Sequence, residues 1–485
     1  MRLQFIHHIA STVGFSILQQ FVGLGRQALI AAIYGLSREF DAYLVVFAVA
    51  TMFVFNLSSV FDSVAVARLV QTRQRDGEAT FWRASNRLLW QSALAGVAFA
   101  GVLIGLLYLV MPIVAAGFSP QERDLVHQLA FYFLPWAIVI LPYYAITAHL
   151  KALWRFHYVF IAELATMAVS IAVLLIWHDS IFDLPLAYAA GYACGLLGLL
   201  ACRGVVRAGA GEGTKNLSLA MGNQYLANQM GSLSGLVDRY FQSFLVGGGI
   251  SALGYGGLLV NSLSSLMTFR EIYVVPLATE LGRSERLARM LSGIVLISVP
   301  FTCFAIAFAE PIVQVLFERG KFSATDTMLT AAVLQIMAIS LLSSSLLAPM
   351  ARLFQIMDRI AYSHLLYLVS LVGTASLQYL LVFRLGLDVY GIALATVGNS
   401  VVLTVFVAFL VRRCGIILDW RAVLSNGALA AAIALAALAI SIGIAGRDKG
   451  LLSLIVGGGL YWTIVAAAYF VMRDRLRRII GLSMP

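Results

Sequence analysis

The sequence predicts an all-α polytopic membrane protein of about 14 transmembrane helices. They form two six-helix lobes in a parallel pseudo-repeat, plus two peripheral C-terminal helices. Three observations carry this expectation. Hydrophobic residues make up 61% of the 485 and charged residues only 12%, with a mean hydropathy of +0.90. The charges fall between apolar runs long enough to cross a hydrocarbon core of ~30 Å, which takes about 20 helical residues. Several features also recur at an offset of roughly 200 residues. Outside a closed barrel, only helices satisfy their own backbone at membrane depth.

In order, the first seven runs are Thr12–Tyr34, Asp41–Leu69, Leu88–Ala115, Val126–Ala148, Tyr158–Trp177, Leu186–Cys202 and Gln224–Leu245. The second seven are Leu253–Leu277, Met290–Phe317, Met328–Ala351, Ala361–Phe383, Tyr390–Val411, Val423–Ile444 and Leu451–Val471. Loop chemistry separates them, as at Ser119-Pro120-Gln121-Glu122, Gly209–Gly213 and Glu318-Arg319-Gly320-Lys321. Met1–Ile9 has no cleavable signal pattern, so the first span is expected to stay in the chain.

An even number of spans puts both termini on one side, and the cations say which. With the N-terminus in the cytoplasm, inner segments hold 22 of the 33 Lys and Arg, outer loops 7 and spans 4. Both termini are therefore expected to be cytoplasmic, in a bacterial inner membrane. The net charge of +10 is then topogenic and faces anionic lipid headgroups, and nucleic acid is not expected as a partner. Cys194, Cys202, Cys303 and Cys414 lie in spans or near the inner face, without metal-ligand spacing.

The internal repeat is read from position. Pro112-Ile113-Val114 ends the third span and Pro311-Ile312-Val313 the ninth. Arg26 precedes Tyr43 by 17 residues, and Arg239 precedes Tyr255 by 16. Short basic turns, Lys151–Arg155 and Arg352–Arg359, follow the fourth and tenth spans. Parallel six-helix repeats describe a two-lobe transporter with a binding site enclosed by its helices. The expected division is 1–210, 211–415 and a C-terminal piece, 416–485, holding two bland helices and a basic tail.

Ionisable groups at membrane depth cost roughly 2.5–3.5 kcal/mol on insertion scales, so each needs a partner or a task. Arg26 has Gln19, Gln20 and Gln27 nearby. It reads either as a cavity cation that grips an anionic headgroup or as half of an ion pair with Asp41 or Asp62. Asp238 and Arg239 are adjacent and so face different directions. Arg270 and Glu271 lie near a cytoplasmic end, where snorkelling explains them as well as function does. Glu163, Asp62 and Arg68 read as structural, and Glu310 and His364 as interfacial. The chain carries no G-x-x-x-x-G-K-[ST] loop and no converging nucleophile–base set, so it reads as a transporter rather than an enzyme. Ion gradients, membrane potential or the cargo gradient would then drive it. Gly247–Gly249 reads as an outer turn.

Gly23-Leu24-Gly25-Arg26-Gln27-Ala28-Leu29-Ile30-Ala31, Tyr34-Gly35 and Asp41-Ala42-Tyr43 resemble the opening of the MurJ/MviN lipid II flippases. These belong to the multidrug/oligosaccharidyl-lipid/polysaccharide (MOP) exporter superfamily. Val237-Asp238-Arg239, Gly249–Tyr255, Val315–Phe322 and Gly391–Thr396 are similar to further signatures of that family. The resemblance implies the two-lobe exporter fold and a lipid-linked sugar cargo. It also implies substrate contacts at Arg26, Gln20, Asp41, Arg239, Asn261 and Arg270.

The departures shift the expected cargo. Gln20 and Val54 stand where the family carries cavity arginines, and Leu258 and Asn261 where it carries an Arg and a Glu. The family's cation site maps to Asp238, Thr374, Gln378 and Thr396, with the middle two weaker than usual, which leaves Na⁺ or H⁺ coupling open. The resemblance thus implies a flippase for an undecaprenyl-pyrophosphate-linked oligosaccharide, an exopolysaccharide or O-antigen repeat unit. Polysaccharide polymerase and glycosyltransferases would be its partners. Lipid II is the alternative cargo, and a cation-coupled multidrug exporter of the same fold is the alternative class. Tyr143, Tyr144 and Trp136 are candidates to stack on sugar rings.

Overall fold

The computed structural model describes residues 2–203, 221–222, 225, 234–266, 283–357, 359–445 and 450–473. Arg270 and Glu271 lie outside the described residues. The helices are α1 (Arg2–Tyr34), α2 (Arg38–Val60), α3 (Val66–Val114), α4 (Pro120–Tyr132), α5 (Leu134–Ala152), α6 (Phe156–Ile176) and α7 (Asp183–Arg203). A stretch at 234–242, α8, is followed by α9 (Gly249–Leu266), α10 (Arg283–Ala307), α11 (Ala309–Phe317) and α12 (Ala324–Ala338). The last are α13 (Ser340–Ile356), α14 (Ile360–Gln378), α15 (Asp388–Arg413), α16 (Trp420–Ala445) and α17 (Gly459–Val471). The described elements fall on the expected spans, and the fold is the expected all-α polytopic one; of the expected seventh and eighth spans, 224, 226–233 and 267–277 lie outside the described residues. Among the described residues, 10 helical runs are long and apolar enough to cross a membrane. One of these, Arg38–Val114, holds two of the expected spans and turns at Gly77 (φ 83°), a backbone state that glycine adopts without strain.

The spans are less regular than hydropathy implies. The expected fourth span breaks at Phe133 and the ninth at Phe308. π-helical turns interrupt the helices at Phe61–Ala65, Tyr379–Arg384 and Ser453–Gly458. Each contains one extra residue per turn, a feature that often marks function.

The chain divides into two units, Met1–Phe244 and Leu245–Pro485. Within the first, α6 and α7 pack very closely. A Cβ at Gly191 would collide with the Thr166 carbonyl, and one at Gly195 would lie 2.5 Å from Thr166 Oγ1. This is small-residue packing of the kind that membrane helices use in place of a hydrophobic driving force. Gly96 of α3 likewise lets α5 approach: a Cβ there would sit 2.5 Å from the Ile138 carbonyl. Pro142 lacks the N–H that would otherwise bond to that carbonyl.

In the second unit, α17 is tied to α10 by more than apolar contact. Pro300 removes the helical donor for the Leu296 carbonyl, and the Tyr469 hydroxyl donates to that carbonyl instead. Tyr461, fully buried, donates to the Pro300 carbonyl at 2.8 Å. Ala434, Ala437, Leu438, Tyr461 and Val465 pack with Phe308 in one core. The last helix, α17, therefore repairs the proline break in α10, while α16 adds apolar packing, a role that their bland sequence does not suggest.

A candidate headgroup cavity in the first unit

Five helices of the first unit converge on a cavity of about 470 Å³. Arg26 and Gln27 come from α1, and Phe47, Thr51, Val54 and Ser58 from α2. Trp136, Tyr143 and Tyr144 project from α5, Glu163, Thr166 and Met167 from α6, and Tyr188 and Tyr192 from α7. The close α6–α7 packing through Gly191 and Gly195 brings Thr166 beside the cavity.

Arg26 is half-buried, and its guanidinium lies over the Tyr188 ring at 4.5 Å from the centroid. A partly desolvated cation–π contact of this kind contributes roughly 1–2 kcal/mol. Arg26 Nε is buried without a hydrogen-bond partner, and Arg26 has no ion pair among the described residues. Neither acid proposed as its structural partner takes that role. Asp62 binds Lys151 Nζ at 2.7 Å, and Asp41, fully buried, lies 4.0 Å from Arg38 Nη1. Trp136, only 3% exposed, likewise leaves its indole N–H unpartnered at the cavity. Tyr143 stands edge-on to both Tyr144 and Tyr192. Glu163 accepts a hydrogen bond from Gln19 Nε2 at 2.5 Å. The cavity thus combines one cation, one acid, buried N–H donors and flat aromatic faces. That set can hold a phosphorylated sugar: charge-assisted bonds to phosphate oxygens and stacking on pyranose faces.

The other candidate residues are spread more widely. Gln20 and Asp41 do not line this cavity. Arg239 Nη1 donates to Gln242 Oε1 at 2.7 Å, and the Asp238 and Asp41 carboxylates act on its charge. Asn261 is exposed on α9. Of the candidate cation ligands, Asp238 belongs to the first unit and Thr374, Gln378 and Thr396 to the second. Thr374 Oγ1 accepts from Asn399 Nδ2 at 2.9 Å, Gln378 is 1% exposed, and Thr396 donates to the Ile392 carbonyl at 3.0 Å.

Sequence reasoning missed the α7 wall, although Tyr188 and Tyr192 share a face at i,i+4 spacing. It also missed a buried network beyond the cavity. His149, fully buried, bonds Ser85 Oγ through Nδ1 at 2.7 Å, and Arg203 Nη2 donates to Ser85 Oγ at 3.0 Å and to Asn86 Oδ1 at 2.5 Å. At the end expected to face outward, before the fourth span begins, Arg38 Nε donates to Glu122 Oε1 at 2.6 Å. Glu122 also closes a capping box with Ser119 at the start of α4. Burial pushes this carboxyl up, but the bonds from Arg38 and Ser119 outweigh it and hold the group below its ordinary 4.5.

The family model described as Lipid II flippase MurJ matches residues 30–448. A probable lipid II flippase MurJ of Bdellovibrio bacteriovorus is 31% identical over 163 residues, 32% of this chain. That matched stretch spans only 31% of the relative's own length. Among solved structures, a lipid II flippase MurJ in an inward closed conformation superposes with a TM-score of 0.77 at 16% identity, over 96% of this chain and all of that one. An inward-facing multidrug resistance MATE family transporter of the MOP superfamily gives 0.60 at 14% identity, over 82% of this chain and 94% of the other. At such identities the superpositions establish the fold alone.

Proposed function

The chain belongs to the lipid II flippase MurJ family, and from that premise we propose that it moves a polyprenyl-pyrophosphate-linked glycan from the inner to the outer leaflet of a bacterial cytoplasmic membrane. The observation that carries this reading is Arg26. A half-buried guanidinium with an unpartnered Nε, facing an aromatic cavity of about 470 Å³, suits a phosphate that arrives with its sugar. Arg26 takes phosphate oxygens through its planar fork. Trp136, Tyr143, Tyr188 and Tyr192 offer faces to the sugar, and Thr51, Ser58 and Thr166 offer hydroxyls. The polyprenyl tail stays in the bilayer throughout. No covalent chemistry is asked of the protein, and both termini remain cytoplasmic.

Lipid II is the first cargo to test, because the family and the Bdellovibrio relative both carry that name. A second reading, an exopolysaccharide or O-antigen repeat unit made and polymerised by partner enzymes, is supported by Val54. This apolar side chain lines the cavity where the family resemblance calls for an arginine, leaving a single Arg among the lining residues. Proteoliposomes containing the purified chain and trace fluorescent lipid-linked sugar decide between them. Flipping of lipid II well above protein-free vesicles supports the first reading. Flipping of a repeat-unit lipid with lipid II left behind supports the second. Failure to move either one overturns the proposal.

A further inference from the structure

A second cleft, of about 410 Å³, lies in the second unit between the first turns of α10 and α16. Its polar lining is ordered by depth. On α10, Glu285, Arg289 and Ser292 lie at i, i+4 and i+7 on one face, so Arg289 sits ~6 Å and Ser292 ~10 Å along the helix from Glu285. On α16, Asp419 precedes the helix and caps it by accepting from Ala422 N at 3.1 Å, and Asn426 lies about two turns further on. Glu285 and Asp419 are exposed at the rim, and Arg289 Nη2 is 3.5 Å from Glu285 Oε1. Asn426 is 7% and Ser292 2% exposed, and neither side chain has a hydrogen-bond partner among the described residues. Leu287, Leu291, Val295 and Val423 form the apolar core beneath. An amide and a hydroxyl that line one cleft floor without bonding another described residue are placed to meet polar atoms of a ligand.

The geometry points to a binding site for the headgroup of a zwitterionic aminophospholipid of the phosphatidylethanolamine type. From the water inward, such a lipid presents a primary ammonium, a phosphate, two ester carbonyls and then acyl chains. The cleft presents two carboxylates, a guanidinium, two neutral donors and then apolar helix, in the same order. The ammonium donates to Glu285 and Asp419, and Arg289 leaves Glu285 to take the phosphate. Asn426 Nδ2 and Ser292 Oγ donate to the ester carbonyls. The acyl chains run along α16, whose Leu424 is 69% exposed. An anionic phosphatidylglycerol brings hydroxyls in place of the ammonium and leaves both carboxylates without a cation. The arginines around this end, Arg286, Arg412 and Arg413, assign the lipid to the cytoplasmic leaflet. This inference stands apart from the cavity around Arg26 and from any cargo bound there.

Native mass spectrometry of the full chain in detergent, titrated with phosphatidylethanolamine or phosphatidylglycerol of identical chains, tests the site. The expected result is at least ~10-fold tighter retention of phosphatidylethanolamine, as one charge-assisted contact to the ammonium implies. Arg289→Ala should abolish tight retention of either lipid. Glu285→Gln with Asp419→Asn should bring the two lipids to parity, and Asn keeps the α16 cap. These side chains are exposed or nearly so, and an unchanged melting temperature verifies the fold. Equal wild-type retention of both lipids overturns the proposal, as does an undiminished preference in the double variant. Displacement by soluble phosphoethanolamine at the lipid's own concentration also overturns it, because a free headgroup lacks the ester and chain contacts.

Discussion

Two clusters of polar side chains, one in each unit, are arranged differently. In the first, α1, α2, α5, α6 and α7 gather a cation, an acid and six aromatic side chains around a cavity. In the second, neutral side chains of α13, α14 and α15 bond to one another. Asn399 of α15 reaches Thr374 of α14 at 2.9 Å, Ser343 of α13 bonds Ser400 at 2.6 Å, and Thr404 donates to the Ser343 carbonyl at 2.9 Å. Gly373 makes room for the Asn399 amide, where a Cβ would collide with its Oδ1. Polar groups that satisfy each other hold helices together, whereas polar groups left facing a cavity are available to a ligand. On the proposed reading, cargo recognition falls to the cavity of the first unit, and the bonded cluster on α13, α14 and α15 serves packing.

The sharpest way to break this comparison is at Arg26. Arg26→Ala should lower flipping by about 10- to 100-fold, the worth of one or two hydrogen bonds to a charged group, with membrane-inserted protein unchanged. Arg26→Lys should recover part of the rate, because the charge survives while the planar fork is lost. A buried ion-pair role predicts the reverse, since stranding a partner charge costs about 3–5 kcal/mol and lowers folded protein. Flipping and thermal stability measured on the same preparation separate the two. Wild-type flipping by a stable Arg26→Ala protein would end the headgroup role.

The next test concerns the scaffold of the cavity. Gly191→Ala places a methyl against the Thr166 carbonyl, a backbone atom that cannot rotate away. Overpacking of this kind costs about 1–3 kcal/mol and should push α6 from α7, distorting the wall that carries Thr166 and Tyr192. A lower melting temperature together with slower flipping is expected. Unchanged values for both would show that the close approach is not needed.

Arg26 was legible in the sequence because one cation inside an apolar run is expensive wherever it lies, and the spans were legible because their length is set by the bilayer. The walls were not. Tyr188 and Phe47 look like any lipid-facing aromatic until tertiary packing turns them inward. The bonding of Tyr469 to the carbonyl freed by Pro300 joins residues 173 positions apart, and no local pattern encodes it. Glu163 reads from the sequence as structural, and in the fold it both bonds Gln19 and lines the cavity.

In the second unit, Asn399→Leu should cost about 1–3 kcal/mol of stability by leaving Thr374 Oγ1 and the Ser370 carbonyl without their donor. Flipping per folded molecule should stay near wild type. A severe transport loss without destabilisation would instead move a recognition role into this seam. The same logic bears on coupling. Thr374 already accepts a hydrogen bond, and Asp238 acts on the charge of Arg239. Replacing Na⁺ by an inert cation should therefore leave the rate unchanged in proteoliposomes. A slower rate without Na⁺ that vanishes in Asp238→Asn would restore the sodium site.

The smallest effect is expected at Arg38 and Glu122, where the first unit pairs charges outside its spans. Partly exposed pairs are worth about 0–1 kcal/mol. Glu122→Gln isolates that contribution, since glutamine can still serve the capping box with Ser119. The Glu122 carboxyl is held below its ordinary 4.5 in the folded chain, so the unfolded chain binds its proton at higher pH. Its stabilisation is therefore complete above that ordinary value and disappears as pH falls through the lower folded one. A wild-type melting temperature slightly above that of Glu122→Gln at neutral pH, converging with it on acidification below 4.5, is the expected pattern. A difference that persists at acid pH would mean that the side chain acts through shape and capping alone. Pairing with Arg38 would then carry no part of the contrast between the two units.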